Sequence, residues 1–151
     1  MIGRFLFFIA VTVLAANCGG DDAAAPTPTA NVAGTWAASA SDMSGGGITC
    51  SSTQPTQLTF SQSGSTFSGT YSGGELSCVT PTGTATASIG TGVVINGAVS
   101  GNNMVFDLDT KESHFGGTVN GNSISGGASW RVDFGAPTGV ITLGGNWGAT
   151  R

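Results

Sequence analysis

The sequence predicts an all-β fold, an antiparallel up-and-down meander closed into a small β-barrel of about 8 to 10 strands. Three observations carry this expectation. Only 8% of the 151 residues are charged while 26 are glycine, which is poor material for a solvated helix and good material for strands and turns. A pattern of apolar residue, any residue, glycine, any residue, apolar residue recurs as VAGTW at 32–36, FSGTY at 67–71, INGAV at 95–99, FGGTV at 115–119 and LGGNW at 143–147. Alternate strand positions share a face, so each copy places a glycine at the centre of an apolar side. Finally, turn-forming residues separate these segments at hairpin spacing.

Taken in order, alternation and turns give strands over 32–40, 57–62, 66–72, 84–89, 93–100, 103–109, 113–119, 123–133 and 140–150, with consecutive neighbours pairing throughout. A turn at Ser63 and Gly64 sets Phe60 against Phe67 and Leu58 against Gly69. A short loop over 90–92 sets Ile89 against Val93. Gly101 and Asn102 set Gly97 against Phe106 and Ile95 against Leu108. Lys111 and Glu112 set Leu108 against Phe115 and Phe106 against Gly117. Asn120 and Gly121, a dipeptide favoured in two-residue hairpins, set Val119 against Asn122, Gly117 against Ile124 and Phe115 against Gly126. The apolar faces coincide across successive turns, and a slip of one residue would reverse them. Several centred glycines face aromatic residues, which lets a ring lie over bare backbone and lets a narrow barrel coil.

Before the barrel lies an export segment. Residues 1–17 open with Arg4 and run apolar from Phe5 to Ala16, too short for a permanent bilayer span of roughly 20 residues. Leu14, Ala15 and Ala16 lead to Cys18, which is followed by Gly19, Gly20, Asp21 and Asp22. This junction resembles a bacterial lipoprotein signal, in which small residues precede an obligate cysteine; Asn17 departs from the Gly or Ala usual just before it. The resemblance implies lipid on Cys18, and residues 18–31, rich in Ala, Pro and Thr, read as a flexible tether. It also implies a bacterial envelope address, at the outer membrane, with the membrane engaged through the lipid. Three cysteines in an exported chain leave one over. With Cys18 lipidated, Cys50 and Cys78 remain for one disulfide in an oxidising compartment. Zinc is a poor alternative, since His114 is the single histidine and no paired Cys-x-x-Cys occurs.

On the first strand of the 32–151 domain, Gly34, Thr35 and Trp36 resemble the G-x-W motif of lipocalins and the similar start of avidin-like barrels. The resemblance implies a calycin-type barrel, and Arg151 in the last strand implies a Trp36–Arg151 contact of cation over ring. No counterpart of the lipocalin T-D-Y segment is present. Ala37, Ala38 and Ser39 do not reproduce the polar run with which avidin's first strand meets biotin, so no biotin site carries over.

Charge and residue chemistry narrow the function. A formal charge of −4, made more acidic by loss of Arg4 with the signal, opposes nucleic-acid binding. His114 with a serine and Asp107 or Asp109 has the residue types of a nucleophilic triad, but the pairing puts His114 on the wet face, where it reads as a solvated histidine. Asp107 and Asp109 share that outer face and read as strand solubility rather than a Ca²⁺ site. Glu75 has no carboxylate partner for acid–base work. No catalytic residue, metal or cofactor is expected. The constellation with a spatial rationale is inward-facing: Trp36, Phe60, Phe67, Tyr71, Phe106, Phe115, Trp130 and Trp147. Close packing is the rule for interiors, so these rings read as a filled core in a non-enzymatic structural or scaffolding module. The alternative is a lipocalin-like binder whose rings line a cavity for a small apolar or amphipathic ligand.

Overall fold

The computed structural model describes residues 29–108, 112–135 and 139–151, and in these every regular element is a strand. The expected signal segment, Cys18, most of the expected tether, Asp109 and Lys111 lie outside the described residues. The strands are β1 (Gly34–Gly45), β2 (Ile48–Gln54), β3 (Thr56–Ser63), β4 (Thr66–Ser72), β5 (Glu75–Thr80), β6 (Gly83–Ser88), β7 (Thr91–Ser100), β8 (Asn103–Leu108), β9 (Ser113–Asn120), β10 (Ser123–Asp133) and β11 (Val140–Thr150). Their antiparallel order is β11-β10-β9-β8-β7-β4-β3-β1-β2-β5-β6, and a further pairing of β11 with β1 closes the sheet. Eight strands thus form a closed barrel, and β2, β5 and β6 grow from the upper half of β1 as a three-stranded flap.

The all-β barrel follows from the glycine-centred alternation, and β4, β10 and β11 have the expected limits. The pairing of consecutive neighbours does not hold throughout. The first strand continues to Gly45, and two unanticipated strands, β2 and β5, intervene. β1 therefore pairs with β3 in its lower half and with β2 in its upper half, β6 pairs with β5, and β7 pairs with β4. The loop at Gly90 consequently connects strands that are not neighbours, and Ile89 does not face Val93.

Three hairpin registers differ from expectation by two residues. Phe60 faces Gly69, Phe106 faces Phe115, and Val119 faces Ile124. An even shift preserves the faces, which is why the inward residues remain inward. The turn at Gly101 and Asn102 keeps its expected register from Ser100↔Asn103 to Ala98↔Val105. Beyond it, a bulge at Asn96, whose φ is 54°, moves the register by one. Ile95 then faces Asp107 instead of Leu108 and is 39% exposed. A bulge inserts one residue and reverses alternation locally, so INGAV is the copy that breaks the rule.

Two strand glycines, Gly126 and Gly144, differ in kind. At Gly126, which pairs with Trp147 on one side and Gly117 on the other, an added Cβ would strike the Gly116 carbonyl and stand 2.5 Å from the Gly117 Cα. At Gly144 nothing lies within 4 Å of that position. Gly126→Ala is expected to cost about 1–3 kcal/mol, because backbone must move. Gly144→Ala is expected to be neutral or stabilising by up to about 1 kcal/mol through the lost flexibility of glycine in the unfolded chain. The urea unfolding midpoint should fall for Gly126→Ala and hold or rise for Gly144→Ala, and equal losses would refute the distinction.

Candidate functional site

Phe60, Phe67, Phe106, Phe115, Trp130 and Trp147, six of the eight inward rings, form one connected set. Phe60 meets Phe67 with centroids 4.9 Å apart, Phe106 stacks on Phe115 at 5.0 Å, and Trp147 meets both Phe106 and Phe115 edge-on at 5.5 Å. Trp130 lies 6.2 Å beyond Phe115. Tyr71 packs against Gly92, where a Cβ would fall 2.6 Å from its hydroxyl. Glycine in β7 is what admits the tyrosine. The void among Ala38, Ala40, Leu58, Phe106, Phe115 and Trp147 measures about 30 Å³. That is room for about one or two water molecules, against roughly 300–1,000 Å³ for small-molecule pockets.

One end of the barrel is sealed around Trp36, which is fully buried. Its indole N–H donates to the Val32 carbonyl at 2.8 Å, and the Arg151 guanidinium lies 4.3 Å from its ring centroid. Arg151 also donates to the carbonyls of Ala33 at 2.8 Å and Asn31 at 3.2 Å. Gln62 completes this clamp by accepting the Val32 N–H at 2.7 Å and donating to the Ala30 carbonyl at 3.0 Å. The Ala30 N–H reaches the Gly101 carbonyl at 2.8 Å, so the chain arrives at the end that carries the β3–β4, β7–β8 and β9–β10 turns.

The opposite end is built by the flap and the long β10–β11 hairpin. Cys50 and Cys78 face each other across β2 and β5 and form a disulfide with Cα atoms 4.0 Å apart. Ile48, Leu76, Met43, Leu143 and Val132 are buried in the same core cluster. Between β6 and the end of β10 runs a groove of about 430 Å³. Its floor is apolar, with Leu76, Ala87, Ile89, Trp130 and Val132, and its rim carries Ser88, Glu112, Arg131 and Asp133. Arg131 pairs with Glu112. The Trp130 indole N–H is buried and finds no hydrogen-bond partner among the described residues. Sequence reasoning found the rings but not this groove, because the place of β6 beside β5 depends on the two unanticipated strands β2 and β5.

Asp107 and His114, the candidate acid and base, lie elsewhere, on the outer face of β8 and β9. Asp107 accepts the Asn96 amide at 2.8 Å and bonds the His114 ring at 2.6 Å. The bulge that turns Ile95 outward also brings Asn96 to this carboxylate. Ser129 stands directly across from His114 in the β9–β10 pairing, a neighbour that the shifted register hid. The three residue types of a triad thus share one face. A nucleophilic triad also needs a serine bonded to the base and donors converging on an oxyanion. Here the recorded ring bond goes to Asp107, and the His114 side chain is 68% exposed on the open side of the sheet.

The Asn96 amide first, and then the His114 ring, hold the Asp107 carboxyl below its ordinary value of 3.8, against a small opposing effect of burial. A lowered carboxyl pKa contributes stability above the unfolded value, and that contribution is lost as pH falls through the folded one. Asp107→Asn should therefore flatten the acid limb of the stability profile below about pH 4. It should cost less than about 1 kcal/mol at neutral pH, because solvent screens the cluster. An unchanged acid limb in a pH series of urea unfolding curves would remove this role.

Compared with protein-family models, with curated proteins and with solved structures, the chain matches none.

Proposed function

We propose that the protein is a lipid-anchored, non-enzymatic scaffolding module of a bacterial cell envelope, held at the outer membrane through Cys18 and standing on its sealed end. The observation that carries this reading is the polarity of the barrel. The chain arrives beside Trp36 and Arg151 at the turn end, and the disulfide-pinned flap with its groove crowns the other. A lipid on Cys18 would hold the first end toward the bilayer and present the second outward. The rings that nearly fill the barrel support a structural core over a ligand chamber, since a void of about 30 Å³ is far below the size of a small-molecule pocket.

Metabolic labelling with palmitate, followed by membrane fractionation, tests the anchor. Label and membrane association should both disappear in Cys18→Ala; label that persists in that variant refutes it. The filled interior is tested with a fluorescent apolar probe, for which no saturable uptake is expected. Saturable uptake abolished by Trp147→Ala would instead favour a barrel that binds a small apolar ligand.

A further inference from the structure

We infer that the seam between β6 and the upper end of β10 is a docking slot for an extended peptide segment of alternating apolar and basic side chains, added to the sheet as a strand. The inference rests on reading the domain as a non-enzymatic scaffolding module, and it does not depend on the lipid. Two incomplete strand edges meet across this groove. β6 ends the sheet order, with β5 on one side and no strand among the described residues on the other. β10 pairs with β11 as far as Asp133, whereas its pairing with β9 stops at Ser129.

The backbone directions follow from two hydrogen bonds. The Ile89 N–H donates to the Gly74 carbonyl at 3.1 Å, toward β5. By strand alternation the backbone groups of Ala87 and Ala85 point the same way, and those of Thr84, Thr86 and Ser88 point into the seam. The Arg131 N–H donates to Ser113 Oγ at 3.2 Å, on the β9 side. The N–H and carbonyl of Asp133, two residues on, therefore also point into the seam. An inserted strand would meet donors and acceptors on both flanks, as in strand addition to an exposed sheet edge.

Side-chain chemistry selects the occupant. Inward positions of an added strand would lie on the apolar floor at Leu76, Trp130 and Val132, and outward positions would pass the rim. Of the rim charges, Arg131 is taken by Glu112, and Asp133 has no cationic partner among the described residues; its carboxylate caps the Gly135 N–H at 2.8 Å. The rim thus complements a basic side chain. A second groove of about 360 Å³ continues along β6 to Thr80 and Phe134, so the slot follows the full length of that strand. Edge strands are commonly blunted by lysine, proline or a bulge, and β6, GTATAS, carries no such protection. The tether does not suit the slot, because its charges are the acidic Asp21 and Asp22.

The test uses the full chain in mild detergent and a capped heptapeptide alternating lysine and valine. Amide hydrogen exchange followed by NMR should slow about tenfold or more at Thr84, Thr86, Ser88 and Asp133 on saturation with the peptide. Thr86→Pro removes an N–H that points into the seam without touching the bonds to β5, so it should weaken binding about tenfold or more while leaving the unfolding midpoint in place. If that variant fails to fold, the same peptide with alternate amides N-methylated serves in its place and should not bind. Unchanged exchange at those four amides overturns the inference, as does equal binding of the N-methylated peptide. A peptide with glutamate in place of lysine that binds equally well overturns the charge assignment. Protection that rises with protein concentration in the absence of peptide assigns the seam to a second copy and likewise overturns it. Failure here leaves the Cys18 labelling result standing, and failure of labelling leaves this one standing.

Discussion

Trp36→Ala is expected to lower the unfolding free energy by about 3–5 kcal/mol, a large share of the roughly 5–15 kcal/mol of a typical domain. The ring is fully buried at the sealed end, so its removal opens a cavity that the surrounding β-sheet cannot collapse to fill. Two further losses attach to it. The Val32 carbonyl, held at 2.8 Å by the indole N–H, loses that donor. The Arg151 guanidinium loses the ring 4.3 Å beneath it, and with it the fixed geometry by which it holds the Ala33 and Asn31 carbonyls. Trp36→Phe separates the contributions, because it keeps an aromatic face under the cation and drops the N–H; a loss of about 1–2 kcal/mol is expected. Urea titrations of both variants provide the measurement. A Trp36→Ala midpoint within error of the parent would mean that the sealed end is not part of the cooperative unit.

The clamp shows which features the sequence makes legible. Trp36 and Arg151 are at opposite ends of the domain, yet closure of a barrel requires its first and last strands to pair, and Ala37 does face Thr150. The inward ring set was legible for a related reason. Alternation decides the face of a residue without knowledge of its partner, so errors of two residues in three hairpins left Phe60, Phe106 and Val119 inside. Ile95 is the counterexample. One bulge residue, Asn96, reversed the local phase, and no apolar pattern announces a bulge.

Within the flap, β2 and β5 were illegible because their inward positions are few and two of them are cysteines. β2 buries Ile48 and Cys50, and β5 buries Leu76 and Cys78, with Ser, Thr or Glu at most other places. Two buried positions do not make a readable alternation. Missing the flap had the larger consequence that the pairing order, the groove and the open edge of β6 were missed with it. Gly73 and Gly74, with φ of 68° and 89°, carry the chain from barrel to flap where a simple meander would have turned straight back. Local turn chemistry identifies that a chain turns, and it does not say which strand it turns toward.

Replacing Cys50 and Cys78 together by alanine should cost about 3–4 kcal/mol, the chain-entropy value for a cross-link of 28 residues' separation. Where that loss appears is the informative part. The flap is attached to the barrel along the upper half of β1 and presents a free edge on its far side, whereas the barrel strands are paired on both flanks over most of their length. Elements with an exposed edge open locally at less cost than closed ones. The expected result is therefore a few-hundredfold acceleration of amide exchange in β2, β5 and β6, corresponding to that free energy, with much smaller changes in β3, β4 and β8. Peptide binding at the seam should weaken in parallel, since β6 supplies one of its walls and would spend part of its time detached. A uniform acceleration across all strands would instead make flap and barrel one cooperative unit. In that case the disulfide would act on the whole fold, and loss of peptide binding in the variant would follow from global unfolding.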